Sequence, residues 1–157
     1  MPILEVGSRA PEFELPTSHG QTATISQLRG DREYLILAFF PKARTSVCGA
    51  ELAMLDEFRH ELEDMGAIVV ALSVDPVEEL TSWAQEAGFS IPLLSDADPK
   101  GAVAESYGVM NPSGVSERAL FIVDASGTIV YSYLSPMKEN PGVDRLLRAL
   151  EEMEEEG

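Results

Sequence analysis

The residues with the most chemical potential lie in one short stretch, Pro41-Lys42-Ala43-Arg44-Thr45-Ser46-Val47-Cys48, which ends on the only cysteine of the chain. A cysteine reacts as its thiolate, and a helix N-terminus or a nearby cation favours that form. The stretch separates an apolar run from an amphipathic one, so it reads as the turn from a strand into a helix. Open α/β sheets build their sites at such places, beyond the C-terminal ends of strands. Unpaired N–H groups and the helix dipole there favour negative charge. Arg44 places a positive charge close by. A free cysteine in the first turn of an amphipathic helix is also a common small buried hydrophobe. On position and charge alone both readings stay open, with the inert one ahead.

The elements that must position this stretch follow from hydrophobic patterning. Tyr34–Phe40 (YLILAFF) and Ala67–Val74 (AIVVALSV) are continuous apolar runs, the mark of strands covered on both faces. Between them Leu52, Leu55, Phe58, Leu62 and Met65 recur at helical spacing, opposite Asp56, Glu57, Arg59, Glu61 and Glu63. Thr45 or Ser46 can cap that helix and Gly66 can end it. A strand–helix–strand unit of this kind implies parallel pairing and a right-handed crossover. Upstream, short extended pieces are expected near Glu12–Leu15 and Thr22–Ile25, with a helical turn at Ser26–Arg29.

Downstream, Asp75-Pro76-Val77-Glu78 offers a cap, a proline for the first helical position and an acid, predicting a helix over Pro76–Ala87 before Gly88. Ile91–Leu94 is a strand candidate, and Asp98-Pro99 predicts a short helix ending before Gly108. Ala119–Val123 and Thr128–Leu134 flank the turn Asp124-Ala125-Ser126-Gly127. Asn140-Pro141 then predicts a helix with Val143, Leu146, Leu147, Leu150 and Met153 on one stripe. The sum is an α/β protein, a mixed sheet with helices on both faces.

Composition bounds what such a fold can serve. The length, 157 residues, suits one compact domain, and residues 1–157 show no repeat or linker that would divide it. The net charge of −16 argues against nucleic acid or an anionic membrane as partner. Glu151, Glu152, Glu154, Glu155 and Glu156 read as solvated surface. Met1 to Gly7 lacks the basic and apolar regions of a signal peptide, and no apolar run is long enough to span a bilayer. One cysteine forms no internal disulfide, and no Cys/His cluster has metal-ligand spacing, so no metal or cofactor is expected. A reducing, cytoplasmic setting is expected on the same grounds.

The spacing Pro41-x-x-x-Thr45-x-x-Cys48 resembles the active-site signature of the peroxiredoxin (AhpC/TSA) family. Companion segments occur in order along most of the chain: Val6-Gly7 with Ala10-Pro11-Glu12-Phe13, Ser73-Val74-Asp75, Pro92-Leu93-Leu94-Ser95-Asp96, Tyr107-Gly108-Val109 and Arg118-Ala119-Leu120-Phe121-Ile122-Val123-Asp124. Cys48-Gly49-Ala50-Glu51-Leu52, with no other cysteine, is similar to the one-cysteine branch, of alkyl hydroperoxide reductase E or bacterioferritin-comigratory type.

The resemblance implies a thioredoxin-like fold with an N-terminal extension, and a peroxidase. Cys48 would attack the terminal peroxide oxygen and become a sulfenic acid. Thr45 would set its hydroxyl against sulfur and peroxide, or act as a plain N-cap. Pro41 would shield the sulfenate, or simply end the strand. Arg118, otherwise an ordinary charge, matches the family's active-site arginine and would stabilise the thiolate and the leaving oxygen. Backbone N–H groups of Val47 and Cys48 would hold the peroxide. Glu51 would orient an arginine, or be a helix-surface acid.

Two positions depart from the family pattern. Arg44 stands where many relatives carry acidic, apolar or aromatic residues; it can recruit an anionic hydroperoxide or pair with a surface acid. Ala53 stands where some relatives carry a resolving cysteine, so an external thiol must resolve the sulfenate: a thioredoxin, a glutaredoxin-like protein or a small thiol. A homodimer packed near the active-site loops is implied as well. His19, His60 and Trp83 are read as surface or packing residues. A disulfide oxidoreductase is disfavoured because Cys48-Gly49-Ala50-Glu51 lacks a second cysteine. The alternatives from other classes are a peroxide-sensing redox adaptor without efficient turnover, and a chaperone or structural role.

Overall fold

The computed structural model describes residues 3–156; Met1 and Pro2, part of the leader reading above, lie outside them. The chain opens with an antiparallel ribbon, β1 (Glu14–Pro16) against β2 (Thr22–Thr24), and a short helix, α1 (Ile25–Arg29). Thr24 caps α1 through a reciprocal pair of hydrogen bonds with Gln27. There follow β3 (Tyr34–Phe39), α2 (Ser46–Glu57), α3 (Arg59–Asp64), β4 (Ala67–Ser73), α4 (Val77–Ala87) and β5 (Leu93–Ser95). The chain ends with α5 (Ala102–Ser106), β6 (Arg118–Asp124), β7 (Ile129–Ser135) and α6 (Asp144–Glu156).

Five strands make one mixed sheet in the order β5-β4-β3-β6-β7. β4 runs parallel to both β3 and β5, whereas β6 is antiparallel to β3 and to β7. The alternation of side chains along β3 divides the core in two. Ile36, Ala38 and Phe40 face α2, α3, α4 and α6, alongside Leu52, Leu55, Leu62, Leu80 and Leu146. Leu35, Leu37 and Phe39 face the N-terminal segment, α1 and α5, where Phe39, Tyr107 and Phe121 pack ring against ring. Each such fully buried large side chain contributes about 1.5–3 kcal/mol of transfer free energy. This is the expected thioredoxin-like α/β architecture, helices on both faces.

Five expected boundaries are corrected. The helix read across 45–65 is broken at Phe58 (φ −94°, ψ 9°), giving α2 and α3; the apolar spacing runs through the break and carries no sign of it. α4 begins at Val77 with Pro76 in the cap position, and Asp75 does not cap it. Its carboxylate instead accepts the Ala43 N–H at 2.8 Å and the Ser73 hydroxyl at 2.6 Å. α5 starts at Ala102 rather than at Asp98-Pro99, because Asp96 holds the N–H groups of Val103 (3.1 Å) and Ala104 (2.8 Å). α6 starts at Asp144, since Asn140 uses its side chain on the Gly142 N–H (2.9 Å) in a turn before the helix. β5 also begins later than expected, at Leu93, because the N–H groups of Ser90 and Ile91 bond to the Asp56 carboxylate at 2.7 and 2.9 Å. No helix among the described residues is long and apolar enough to cross a membrane.

Candidate active site

Cys48 is the third residue of α2 and lies 1% exposed among the side chains beneath that helix. The Phe40 N–H bonds to the Leu72 carbonyl at 2.9 Å, so the chain leaves the sheet at the centre of its C-terminal edge. Five residues, Pro41 to Thr45, then turn it into α2. Thr45 occupies the cap position but does not cap with its side chain. Its hydroxyl donates instead to the Lys42 carbonyl at 3.0 Å, which corrects the capping role considered for it. Consequently the N–H groups of Ser46, Val47 and Cys48 have no protein acceptor among the described residues; the first bond of the helix is Gly49 N–H to Thr45 C=O, 2.8 Å. Donors without partners at a helix N-terminus are a ready site for a negatively charged or developing-negative oxygen.

Arg118 reaches this place through sheet register. Phe39 pairs with Ala119 in the antiparallel β3–β6 ladder, which sets Arg118 beside the point where β3 gives way to the Pro41–Thr45 turn. Leu120 and Ile122 lie on the α2 side of the sheet, and the period of two puts Arg118 on that side too. Its Nη1 donates to Glu51 Oε1 at 2.7 Å. Its Nε and Nη2 both donate to the Met137 carbonyl, at 3.0 and 2.8 Å. Three of the five guanidinium N–H groups are thereby committed, and two remain to meet a ligand.

Glu51 lies one helical turn after Cys48, 1% exposed, so the helix-surface reading of it is corrected. Burial pushes its carboxyl up to about 7, against the opposing pull of the Arg118 hydrogen bond and charge. Its Oε2 is buried without a hydrogen-bond partner. Removing one member of such a buried pair leaves the other charge uncompensated, at a cost of about 3–5 kcal/mol.

Arg44 does not turn toward the cysteine, which corrects the expectation that its charge assists the thiolate. Its guanidinium bonds to Glu79 and Glu86 of α4 and to Ser82 Oγ at 3.1 Å. These contacts raise its pKa further above the ordinary arginine value, through the hydrogen bonds it donates to Glu86 and Glu79. Pairing with surface acids, one of the two roles considered for it, is the one observed. Pro41 is half-buried at the end of β3, and Val47 is half-buried in the first turn. His19 and His60 are exposed, while Trp83 packs on Phe40 and Phe89 with centroids 5.8 and 5.1 Å away. No cluster of three or more His, Cys, Asp or Glu among the described residues could hold a metal.

Three participants were not legible beforehand. The Met137 carbonyl is a backbone atom with no sequence signature. The α4 acids that hold Arg44 looked like ordinary surface charge. Asp75 stood within a matched segment, Ser73-Val74-Asp75, but its contact with the Ala43 N–H depends on the loop's path.

Known proteins resemble this chain over most of its length. Residues 6–132 match the AhpC/TSA family. Alkyl hydroperoxide reductase E of Mycobacterium tuberculosis (strain H37Rv) is 40% identical over 131 residues, spanning 83% of this chain and 85% of that protein. Putative peroxiredoxin bcp of Coxiella burnetii is 35% identical over 133 residues, 80% of this chain and 85% of its own. Among solved structures, peroxidoxin BcpB from Mycobacterium tuberculosis matches with a TM-score of 0.86 at 27% identity, over 96% of this chain and 98% of that one. Mycobacterium tuberculosis AhpC gives 0.88 at 25% identity, over 99% of this chain and 96% of its own. The chain therefore belongs to the AhpC/TSA family and is a thiol-dependent peroxidase with a single cysteine.

Proposed function

We propose that Cys48 is the peroxide-reducing nucleophile, with Thr45, Arg118 and Pro41 as its partners, acting on hydrogen peroxide or organic hydroperoxides. The observation that carries this assignment is the delivery of Arg118, remote in sequence, to Glu51 one turn beyond Cys48. The Cys48 thiolate attacks the terminal peroxide oxygen; an S–O bond forms as the O–O bond breaks, and the departing alkoxide or hydroxide takes up a proton. The two uncommitted N–H groups of Arg118 and those of Val47 and Cys48 suit the charge developing on oxygen. Thr45 and Pro41 bound the turn that leads into Cys48, Thr45 with a hydroxyl that can leave the Lys42 carbonyl for a ligand. Glu51 supports by holding Arg118.

The sulfenic acid then loses water to an external thiol, giving a mixed disulfide that a second thiol reduces. A thioredoxin, a glutaredoxin-like protein or a small thiol can serve, and no nucleic acid or membrane is involved. The family resemblance supports a homodimer, and the single cysteine supports a reducing, cytoplasmic setting. The enzyme names of the relatives favour turnover over the adaptor reading. Stopped-flow mixing of the reduced protein with hydrogen peroxide tests the assignment. Oxidation of Cys48 is expected to outrun that of a free thiol by orders of magnitude, and Cys48→Ser to consume no peroxide while melting within about 1 kcal/mol of the native chain. Oxidation no faster than a free thiol, or turnover surviving in Cys48→Ser, overturns it.

A further inference from the structure

Resolution by an external thiol meets an obstacle. The attacking sulfur must line up with Cys48, and access governs that exchange. Cys48 is 1% exposed, so the turn and the first residues of α2 have to move before a thiol can reach it. What holds them is a set of contacts to the segment that follows β4. The Asp75 carboxylate accepts the Ala43 N–H at 2.8 Å. Next to it, the Arg44 guanidinium grips Glu79, Ser82 and Glu86 on successive turns of α4. Arg44 is also the one non-glycine residue with positive φ among those described, at 67°. A residue with a Cβ adopts that conformation only where its surroundings hold it there.

We propose that Arg44, through Glu79 and Glu86, is a positioning residue that latches the active-site loop onto α4, with Asp75 as the inner hook, and that opening of this latch admits the resolving thiol to Cys48. This rests on the peroxidase assignment of Cys48. The ends of the latch differ in exposure. The Arg44, Glu79 and Glu86 side chains are 39%, 44% and 61% exposed, so salt weakens the outer contacts. The half-buried Asp75 contact is screened less. Opening also scatters Thr45 and the free N–H groups of the first turn. The two half-reactions therefore respond in opposite directions: a looser latch speeds resolution and slows oxidation by peroxide.

The test is the double variant Glu79→Gln/Glu86→Gln, which leaves the loop and α2 untouched. Two neutral probes report access: 2-mercaptoethanol on peroxide-oxidised Cys48, and iodoacetamide on reduced Cys48 at a pH where alkylation no longer rises. Both rates are expected to increase about three- to tenfold in the double variant. The native chain should show a similar rise between about 50 mM and about 1 M NaCl, and the variant little further rise. Arg44→Gln should match the double variant, and Arg44→Lys should restore part of the effect. Rates within about 1.5-fold of native, with an unchanged salt response, overturn the latch. Failure of the native protein to react rapidly with hydrogen peroxide overturns the peroxidase assignment instead; the iodoacetamide arm, which uses only reduced protein, still decides the latch.

Discussion

At the scale of single residues, the buried Glu51–Arg118 pair has a consequence for pH. The Glu51 carboxyl titrates at about 7 in the folded protein, above its ordinary value of 4.5, because burial disfavours its charge more than Arg118 favours it. Between those values the unfolded chain has released this proton and the folded chain retains it, so the group's contribution to stability falls as pH rises through the window and levels off above it. Glu51→Gln should flatten that part of the stability–pH curve, read from urea midpoints at intervals across the window. The same titration changes what Arg118 presents to a peroxide. Below about 7 the guanidinium faces a neutral carboxylic acid; above it, a carboxylate that offsets its charge. An inflection near 7 in the rate of Cys48 oxidation that disappears in Glu51→Gln would identify this carboxyl as its source; one that persists would assign it to another group.

At the scale of elements, short helices need anchors that their own length does not supply. α5 has five residues, and Asp96, 2% exposed, accepts two of its first N–H groups. Asp96→Ala leaves those donors buried and unpaired, and should cost about 1–3 kcal/mol, seen as a lower urea midpoint at unchanged slope. Peroxide oxidation of Cys48 should be unaffected, because α5 packs on the opposite face of the sheet from α2. A loss of rate matching the loss of stability would contradict that separation. The same residue shows where sequence reasoning stops. The runs Tyr34–Phe40 and Ala67–Val74 announce their strands because both faces are buried, and α4 ends at Gly88 in the left-handed conformation as its position suggests. The helix starts were harder, because an aspartate or asparagine that could cap one was already serving elsewhere: Asp75 on the Ala43 N–H, Asn140 on the Gly142 N–H. At the site, the spacing of Pro41, Thr45 and Cys48 is local and readable. The place of Arg118 is a property of strand register, so only a family resemblance could supply it in advance. The Met137 carbonyl, which fixes the other edge of Arg118, had no residue-type signal at all.

At the scale of the whole molecule, electrostatics acts with two signs. The chain carries 27 acidic and 11 basic side chains for a net charge of −16. Several of the bases are already committed: Arg118 to Glu51, Arg44 to two acids, Arg59 to Asp56, and Arg145 over the Tyr133 ring at 4.0 Å. Exposed acids such as Glu151, Glu152, Glu154 and Glu155 on α6 are left to repel one another. An excess of one sign destabilises the compact state, and screening relieves it. Adding NaCl should therefore raise the melting temperature, by about 2–4 °C for each kcal/mol of repulsion removed in a chain of this size. Salt should at the same moment loosen the exposed contacts of Arg44 and speed alkylation of Cys48. A rising melting temperature with rising cysteine access separates opening of the loop from unfolding of the protein, since general loosening would lower the first as it raised the second. The double variant Glu79→Gln/Glu86→Gln carries the comparison further, because it removes two negative charges, from −16 to −14, along with the ion pairs. Its melting temperature should rise less with salt than that of the native chain, there being less repulsion to screen, while its cysteine is already accessible at low salt. A melting temperature that falls with salt in both proteins would show that paired charges outweigh the net excess, and would overturn the repulsion account.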